Sequence, residues 1–351
     1  MKTLVFGGTR FIGRRLLGEL LSAGHQVAIY TRGHVSHPFG GAVEALVGDR
    51  RAPADLARAL AGREFDAVYD FLCYDAGDAR LALDALAGRV GRYIHISTCS
   101  VYWCTGDFPC PVPEEDFDRL GDFSERPESI EYAYGYGKRQ AERIFFEAWR
   151  RHGFPITTIR MPIVGGEGDL SLRLASYCLR VGDGQPLAMP DSGLAPVRQV
   201  YVGDAARLLA RLPAIPEAAG QAYNLAGSEI LSVRAIVAAV ARVMGRAVQM
   251  VDIPSDVLRL LGTDTAFSPY SQPAAQVPAI HKARRELGWS PTAYPVWLER
   301  AVSWSLDAAG RGGAVPEAYT HRARELSAIQ RYRAAALSLS SADGTSSARP
   351  G

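Results

Sequence analysis

The stretch KTLVFGGTRFIG, residues 2–13, decides the fold. Residues 3–6 form a short run of β-branched, aliphatic and aromatic side chains, which reads as a buried strand. Gly7 and Gly8 break it, and Ile12, Leu16, Leu17, Leu20 and Leu21 then recur at helical spacing. Such a turn leaves unpaired backbone N–H groups at a helix N-terminus, where they and the helix dipole favour a pyrophosphate. Gly13 stands where the last glycine of a dinucleotide-binding fingerprint lets the helix pack closely. At the first strand of a strand–helix–strand unit, the turn predicts a dinucleotide site.

Outward from that unit, apolar strand-like runs alternate with helical patterns. Residues 26–30, 45–47, 66–72 and 93–97 read as strands two to five, with helices near 53–61 and 78–87. Alternation of this kind implies right-handed crossovers and an α/β fold with a parallel sheet covered on both faces. Ligands then bind beyond the carboxyl ends of the strands. From about residue 165 the pattern turns irregular, and stretches rich in Gly, Pro and Ser (165–171, 182–196, 268–278) interrupt short elements. This reads as a smaller lobe capping the site. Gly312-Gly313 leads to an Arg-rich helical stretch, 316–337, read as a solvated helix or a dimer element. The Ser-rich end, 338–351, is expected to be disordered. The expected division is a dinucleotide-binding domain at 1–165, its sheet continuing into later segments, a mostly substrate-binding lobe at 166–309, and a tail at 310–351.

The formal net charge of +2 on 351 residues is too small to imply nucleic acid or an anionic membrane as partner. No stretch of about 18 uncharged apolar residues occurs, so no transmembrane helix is expected. The chain enters its first strand without a signal peptide's basic segment and apolar core, which predicts a cytoplasmic protein. The five cysteines, Cys73, Cys99, Cys104, Cys110 and Cys178, form no C-x₂-C pair. Lacking a nearby histidine, they read as reduced thiols, and no metal is expected.

Two further motifs carry chemistry. Tyr134 and Lys138 stand four apart, and Ala141, Ile144, Phe145 and Ala148 continue an apolar face of the same helix. A phenol has a pKa near 10, too high for a good base at neutral pH, and a nearby ammonium lowers it. Tyr132 and Tyr136 compete for the role, but neither has a lysine four residues on. In YIHISTCSVYW, residues 93–103, a strand ending at Ser97 places Thr98 and Ser100 at the ligand edge. A hydroxyl there can bond a substrate oxygen and pass its proton to a tyrosinate.

Taken in order, these motifs resemble the extended short-chain dehydrogenase/reductase family, the epimerases and dehydratases of nucleotide sugars, from residue 1 to about 307. The resemblance implies a Rossmann-type doubly wound parallel sheet with a smaller C-terminal substrate-binding lobe. GGTRFIG matches the family's turn, implying cofactor contacts from Gly7, Thr9, Arg10, Phe11, Ile12 and Gly13. STCSVY matches the strand-five motif, with Thr98 as the proton-shuttling hydroxyl, Ser97 toward the cofactor and Ser100 toward substrate. YGYGK supplies the base Tyr134 and Lys138, which in the family also binds the nicotinamide ribose. Asp49 in LVGDR resembles the residue contacting adenine, and Arg50 and Phe71 are implied beside the cofactor. IRMPIVGG is similar to the stretch passing the nicotinamide, here Pro162 and Ile163. In VRQVYVGDAA, Arg198 takes the place of an arginine that contacts the sugar nucleotide's phosphates. AYNLAGSE and KARRELGWSP match later family segments, and relatives commonly form homodimers.

Three departures refine the expectation. Arg10 replaces the middle glycine of the turn. The second strand ends in IYTRGH, without the acidic residue that holds the NAD ribose, so Arg32 and Arg10 favour NADP over NAD. Finally, the family's dehydratases carry a carboxylate two residues before the last tyrosine of the strand-five motif, where this chain has Ser100. The resemblance therefore implies an NAD(P)-dependent nucleotide-sugar epimerase with Tyr134 as base. A dehydratase using Glu114 or Glu115, an NADPH-dependent ketoreductase, and a non-catalytic NAD(P)-sensing or RNA-associated protein remain open. The intact set Thr98, Tyr134 and Lys138 argues for catalysis.

Overall fold

A computed structural model describes residues 1–105, 108–119, 129–271, 275–310 and 315–344. The chain forms two compact units. The first comprises Met1–Gly168, Arg198–Glu229 and Gln276–Tyr294, the second Asp169–Val197, Ile230–Ala275 and Pro295–Gly351.

In chain order the first segment holds β1 (Lys2–Phe6), α1 (Phe11–Ser22), β2 (Gln26–Thr31), β3 (Val43–Val47), α2 (Pro53–Leu60), β4 (Phe65–Asp70) and α3 (Ala76–Leu86). It continues through β5 (Val90–Thr98), α4 (Ser100–Trp103), α5 (Asp116–Arg119), α6 (Ile130–His152), β6 (Ile156–Met161) and β7 (Ile163–Gly165). The second unit then begins with α7 (Arg173–Gly182), β8 (Leu187–Pro190) and β9 (Pro196–Val197). The chain returns to the first unit for β10 (Gln199–Tyr201), α8 (Val202–Arg211) and β11 (Gln221–Asn224). Next come β12 (Leu231–Ser232), α9 (Val233–Val243), β13 (Met250–Ile253) and α10 (Ser255–Leu260), then α11 (His281–Leu287) back in the first unit. The chain closes on α12 (Tyr294–Gly310), α13 (Glu317–Thr320) and α14 (Arg322–Gly344).

The first unit is built on a seven-stranded sheet in the order β11-β6-β5-β4-β1-β2-β3. All its pairings are parallel. The order reverses at β1, which lies between β2 and β4, and ligands of such sheets bind at that switch point. Period-two alternation sends neighbouring residues of one strand into opposite cores. Val5, Ile29, Ile94 and Ile159 enter one core with Leu16, Leu20 and Leu209. Leu4, Phe6, Tyr30 and Val68 enter the other with Leu86 and Phe145. Each fully buried leucine contributes about 1.5–3 kcal/mol before the entropy of ordering it. The expected strands are all present. The fourth ends at Asp70 rather than at residue 72, because the Asp70 carboxylate accepts the Leu72 N–H at 2.7 Å and turns the chain.

In the second unit β13 pairs in parallel with β8, and β12 antiparallel with β9. The tail belongs to this unit. Instead of one solvated helix over 316–337 the chain forms α13 and α14, and Ala328 and Ile329 join a buried cluster with Ala188, Ile253, Leu258 and Phe267. Glu325 pairs with Arg180 at 2.5 Å and accepts the Ala188 N–H at 2.8 Å, tying α14 to α7 and β8. Helix α14 also runs on through 338–344, where disorder was expected. Gly312, Gly313 and residues 345–351 lie outside the described residues. No helix among the described residues is long and apolar enough to cross a membrane.

Candidate active site

The turn after β1 has the geometry its sequence implies. Gly7 and Gly8 adopt φ of +90° and +85°, in the left-handed range, and the Gly7 N–H donates to Tyr30 O at 3.0 Å. A Cβ on Gly13 would stand 2.5 Å from the Gly8 Cα, so only glycine allows α1 to lie against the turn. Arg10 enters the helix in extended conformation and places no side-chain cap on it, and the first turn holds no acidic residue. Its N–H groups are therefore placed for an anion. Thr9, Phe11 and Ile12 are half-buried around this turn, and Arg10 is exposed. Phe71 and Leu72, just beyond β4, flank Gly7 within 3.6 Å of where a Cβ would stand. This cradle fits a dinucleotide's pyrophosphate.

Arg32 follows β2, at a turn closed by the Gly33 N–H donating to Thr31 Oγ1 at 3.1 Å. It is exposed and makes no hydrogen bond or ion pair among the described residues. Asp49, exposed after β3, accepts the Arg51 N–H at 2.9 Å. Arg50, implied beside the cofactor, follows Asp49 and is buried. Its buried guanidinium donates to both Asp70 oxygens at 2.7 Å and to Asp78 O at 3.0 Å, bracing the end of β4. Pro162 and Ile163 are half-buried at the end of β6.

Helix α6 begins where Ser129 Oγ accepts the Tyr132 N–H, and stops at Gly153 with φ +69°. Gly135, Lys138, Arg139 and Glu142 follow one another at helical spacing along the face that meets the end of β5. A Cβ on Gly135 would stand 2.4 Å from Ser100 O. Lys138 Nζ donates to Ile96 O at 2.7 Å, and Arg139 donates to Val101 O at 3.3 Å and to Phe117 O at 2.6 Å. Ser97 Oγ donates to Glu142 Oε1 at 2.5 Å. Ser97 thus turns its hydroxyl to α6. Tyr134 is 40% exposed, one turn before the buried Lys138. Burial pulls the Lys138 pKa down, while Cys73, Asp70 and Glu142 push it up. At the turn after β5, Thr98 Oγ1 donates to Ser100 Oγ and accepts the Ser100 N–H, both at 3.1 Å. The structure thus docks the helix of Tyr134 and Lys138 onto the segment carrying Thr98 and Ser100.

Arg198 is half-buried and donates to Pro278 O at 2.7 Å. It makes no ion pair among the described residues, and burial and the neighbouring Arg284 both lower its pKa. Glu114 is buried with Oε1 accepting the Asn224 N–H at 2.7 Å, and burial raises its pKa. Glu115 is exposed. Among the described residues no cluster of three or more His, Cys, Asp or Glu could hold a metal ion. Sequence reasoning missed Glu142 and Arg160, whose guanidinium donates to Glu142 at 2.6 Å and to the Tyr102 hydroxyl at 2.6 Å. Only the spacing of Glu142, four residues after Lys138, could have flagged it.

Residues 3–85 and 76–226 match the sequence profile of the NAD dependent epimerase/dehydratase family. The 2′-dehydrokanamycin reductase of Streptomyces kanamyceticus is 29% identical over 260 residues, 73% of this chain and 70% of that protein. The chloroplast stem-loop binding protein of 41 kDa b from Arabidopsis thaliana is 26% identical over 304 residues, 83% of this chain and 75% of that one. An epimerase structure from Methanothermobacter thermautotrophicus superposes with a TM-score of 0.69 at 21% identity, covering 88% of this chain and 93% of its own. The last likeness is one of fold. With its glycine-rich turn at the switch point of a parallel sheet, the chain belongs to the NAD dependent epimerase/dehydratase family and is an enzyme of the short-chain dehydrogenase/reductase type.

Proposed function

We propose that this enzyme reduces a ketone of a polar, sugar-like substrate, using NADPH. The turn at Gly7–Gly13 would hold the pyrophosphate of the dinucleotide, which would supply the hydride. Tyr134 gives its proton to the carbonyl oxygen, Thr98 hydrogen-bonds that oxygen, and the Lys138 ammonium keeps the phenol acidic. In this reading Asp49 would meet the adenine, Phe71, Pro162 and Ile163 would line the nicotinamide half, and Ser100 would meet the substrate. The observation that carries the cofactor, and with it the reductive direction, is Arg32: an exposed guanidinium without a partner among the described residues stands where an acidic residue would hold the NAD ribose. A relative whose name makes it a reductase supports the same direction. Incubation with NADPH and a panel of keto sugars, free and nucleotide-linked, tests it. Consumption of NADPH in proportion to product is expected, and turnover without it would overturn the reading.

A second reading, the nucleotide-sugar epimerase, is favoured by Arg198. A half-buried guanidinium beside Arg284, with no carboxylate paired to it among the described residues, suits the diphosphate of a sugar nucleotide. Tyr134 would then take the proton of a sugar hydroxyl and return it after the ketone has turned over. The product would be an isomer of equal mass, without net use of cofactor and without solvent deuterium at C5. A product lighter by one water would point instead to dehydration. A homodimer in the cytoplasm belongs to either reading, and sedimentation of the purified protein tests the dimer.

A further inference from the structure

The turn after β4 sets Tyr74 beside both α6 residues to which the proposed chemistry is assigned. The Lys138 Nζ lies 5.0 Å from the centroid of the Tyr74 ring. The Tyr134 ring also neighbours that of Tyr74, 6.4 Å between centroids and inclined at 51°. The Tyr74 backbone is fixed from two directions. Its N–H donates to Asp78 Oδ2 at 2.9 Å, and a Cβ on Gly137 would stand 2.6 Å from its carbonyl oxygen. Helix α6 therefore passes directly against this turn, and glycine at 137 is what lets it. The Tyr74 side chain is itself 44% exposed. Its ring is held by its backbone and by the cation it covers, more than by deep packing.

Lys138 is in the opposite condition, only 2% exposed. An ammonium withdrawn from water needs other stabilisation, or it loses its proton. The carbonyl of Ile96 supplies one acceptor at 2.7 Å. The charged and titratable groups around Lys138 are Asp70 from the end of β4, Cys73 from the turn after it, Glu142 from α6, Arg50 from the loop after β3, and His95 from β5. Of these Arg50 opposes the ammonium, and burial opposes it most. The negative face of an aromatic ring is a further source of stabilisation, and it strengthens when the cation is desolvated.

We propose that Tyr74 is a positioning residue for the reaction: its ring covers the Lys138 ammonium, keeps it charged and in place, and so sets the acidity of the Tyr134 phenol. The inference rests on the role given to Tyr134 above. It assigns the work to the ring face and none to the Tyr74 hydroxyl, so phenylalanine can replace Tyr74 and leucine cannot.

The test needs no substrate. Phenolate formation is followed by ultraviolet absorbance across pH in the wild type, Tyr74→Phe and Tyr74→Leu. Each is read as a difference against the same background carrying Tyr134→Phe, which isolates the Tyr134 titration. Wild type and Tyr74→Phe should give the same Tyr134 midpoint, below the ordinary value near 10. Tyr74→Leu should raise it by about 0.5–1 pH unit, the scale of a cation–π contact. Circular dichroism should show all three folded, since the side chain is half exposed. An unshifted midpoint in Tyr74→Leu overturns the inference alone, as does an equal rise in Tyr74→Phe. A wild type whose Tyr134 titrates no lower than an ordinary phenol overturns the activated base and, with it, this inference.

Discussion

The Glu142 carboxylate and the Arg160 guanidinium meet at 2.6 Å with neither side chain more than 1% exposed. The same carboxylate accepts the Ser97 hydroxyl, so one buried anion joins α6 to both β5 and β6. A buried ion pair adds little net stability when intact, but removal of one member leaves a charge stranded without water. Glu142→Ala should therefore destabilise the protein by about 3–5 kcal/mol. In the double variant Glu142→Met with Arg160→Met much of that loss should return. Urea unfolding of the single and double variants measures both, and equal losses would show that burial of the Arg160 charge is not the cause.

Gly13 and Gly18 lie in the same helix and make opposite predictions. A methyl on Gly13 meets the Gly8 backbone, whereas one on Gly18 meets nothing within 4 Å. Gly13→Ala must push α1 off the turn, which should cost about 1–3 kcal/mol and abolish dinucleotide binding. Gly18→Ala should stabilise by up to about 1 kcal/mol, because alanine is the better helix former. Thermal unfolding with calorimetric titration of the dinucleotide reads both effects. Tight binding by Gly13→Ala would remove the turn from the site.

Local sequence carried the parts of this architecture that depend on local physics. The strand–glycine–helix unit at Lys2–Ser22 is legible because apolar period and glycine conformation act within a few residues. The same holds for Tyr134 and Lys138, one helical turn apart. What period cannot supply is the partner of a polar side chain distant in sequence. Ser97 turns to Glu142, 45 residues on, and Arg50 to Asp70, 20 residues on. A strand end or a loop gives a residue's neighbourhood but not its hydrogen bond. The docking of the tail was hidden for the same reason, because Arg180 and Glu325 are 145 residues apart.

Tyr134→Phe should lower turnover by about 10²–10⁴ while leaving dinucleotide affinity nearly intact, the scale of a lost general acid or base. Tyr134 is 40% exposed, so its loss should not disturb the fold. Steady-state rates, together with titration of NADPH, separate the two. Undiminished turnover would take Tyr134 out of the mechanism.

Arg32→Ala should weaken NADPH by about 1.5–3 kcal/mol, the range of a hydrogen bond to a charged group, and barely touch NADH. Calorimetry with both dinucleotides decides it. An equal loss for the two, or tighter wild-type binding of NADH, would contradict a 2′-phosphate contact at Arg32.

His95 links stability to pH. It is fully buried in β5, its Nε2 lies 3.4 Å from Cys73 O, and its ring packs 5.3 Å from that of Phe145. Burial, and then the nearby Lys138 ammonium, hold its pKa well below 6.5. Arg50 and Arg160 push the same way. The folded protein thus keeps His95 neutral at a pH where the unfolded chain takes up a proton. A depressed folded pKa gives stability that is complete above the unfolded value of about 6.5 and is lost as pH falls below it. Between pH 6.5 and 5.5 this one group should cost about 1 kcal/mol. His95→Phe keeps a ring against Phe145 and removes the titration, so its stability should fall by about that much less over the same interval. Urea unfolding of both proteins at the two pH values gives the comparison, and parallel losses would mean that His95 is not held neutral by the fold.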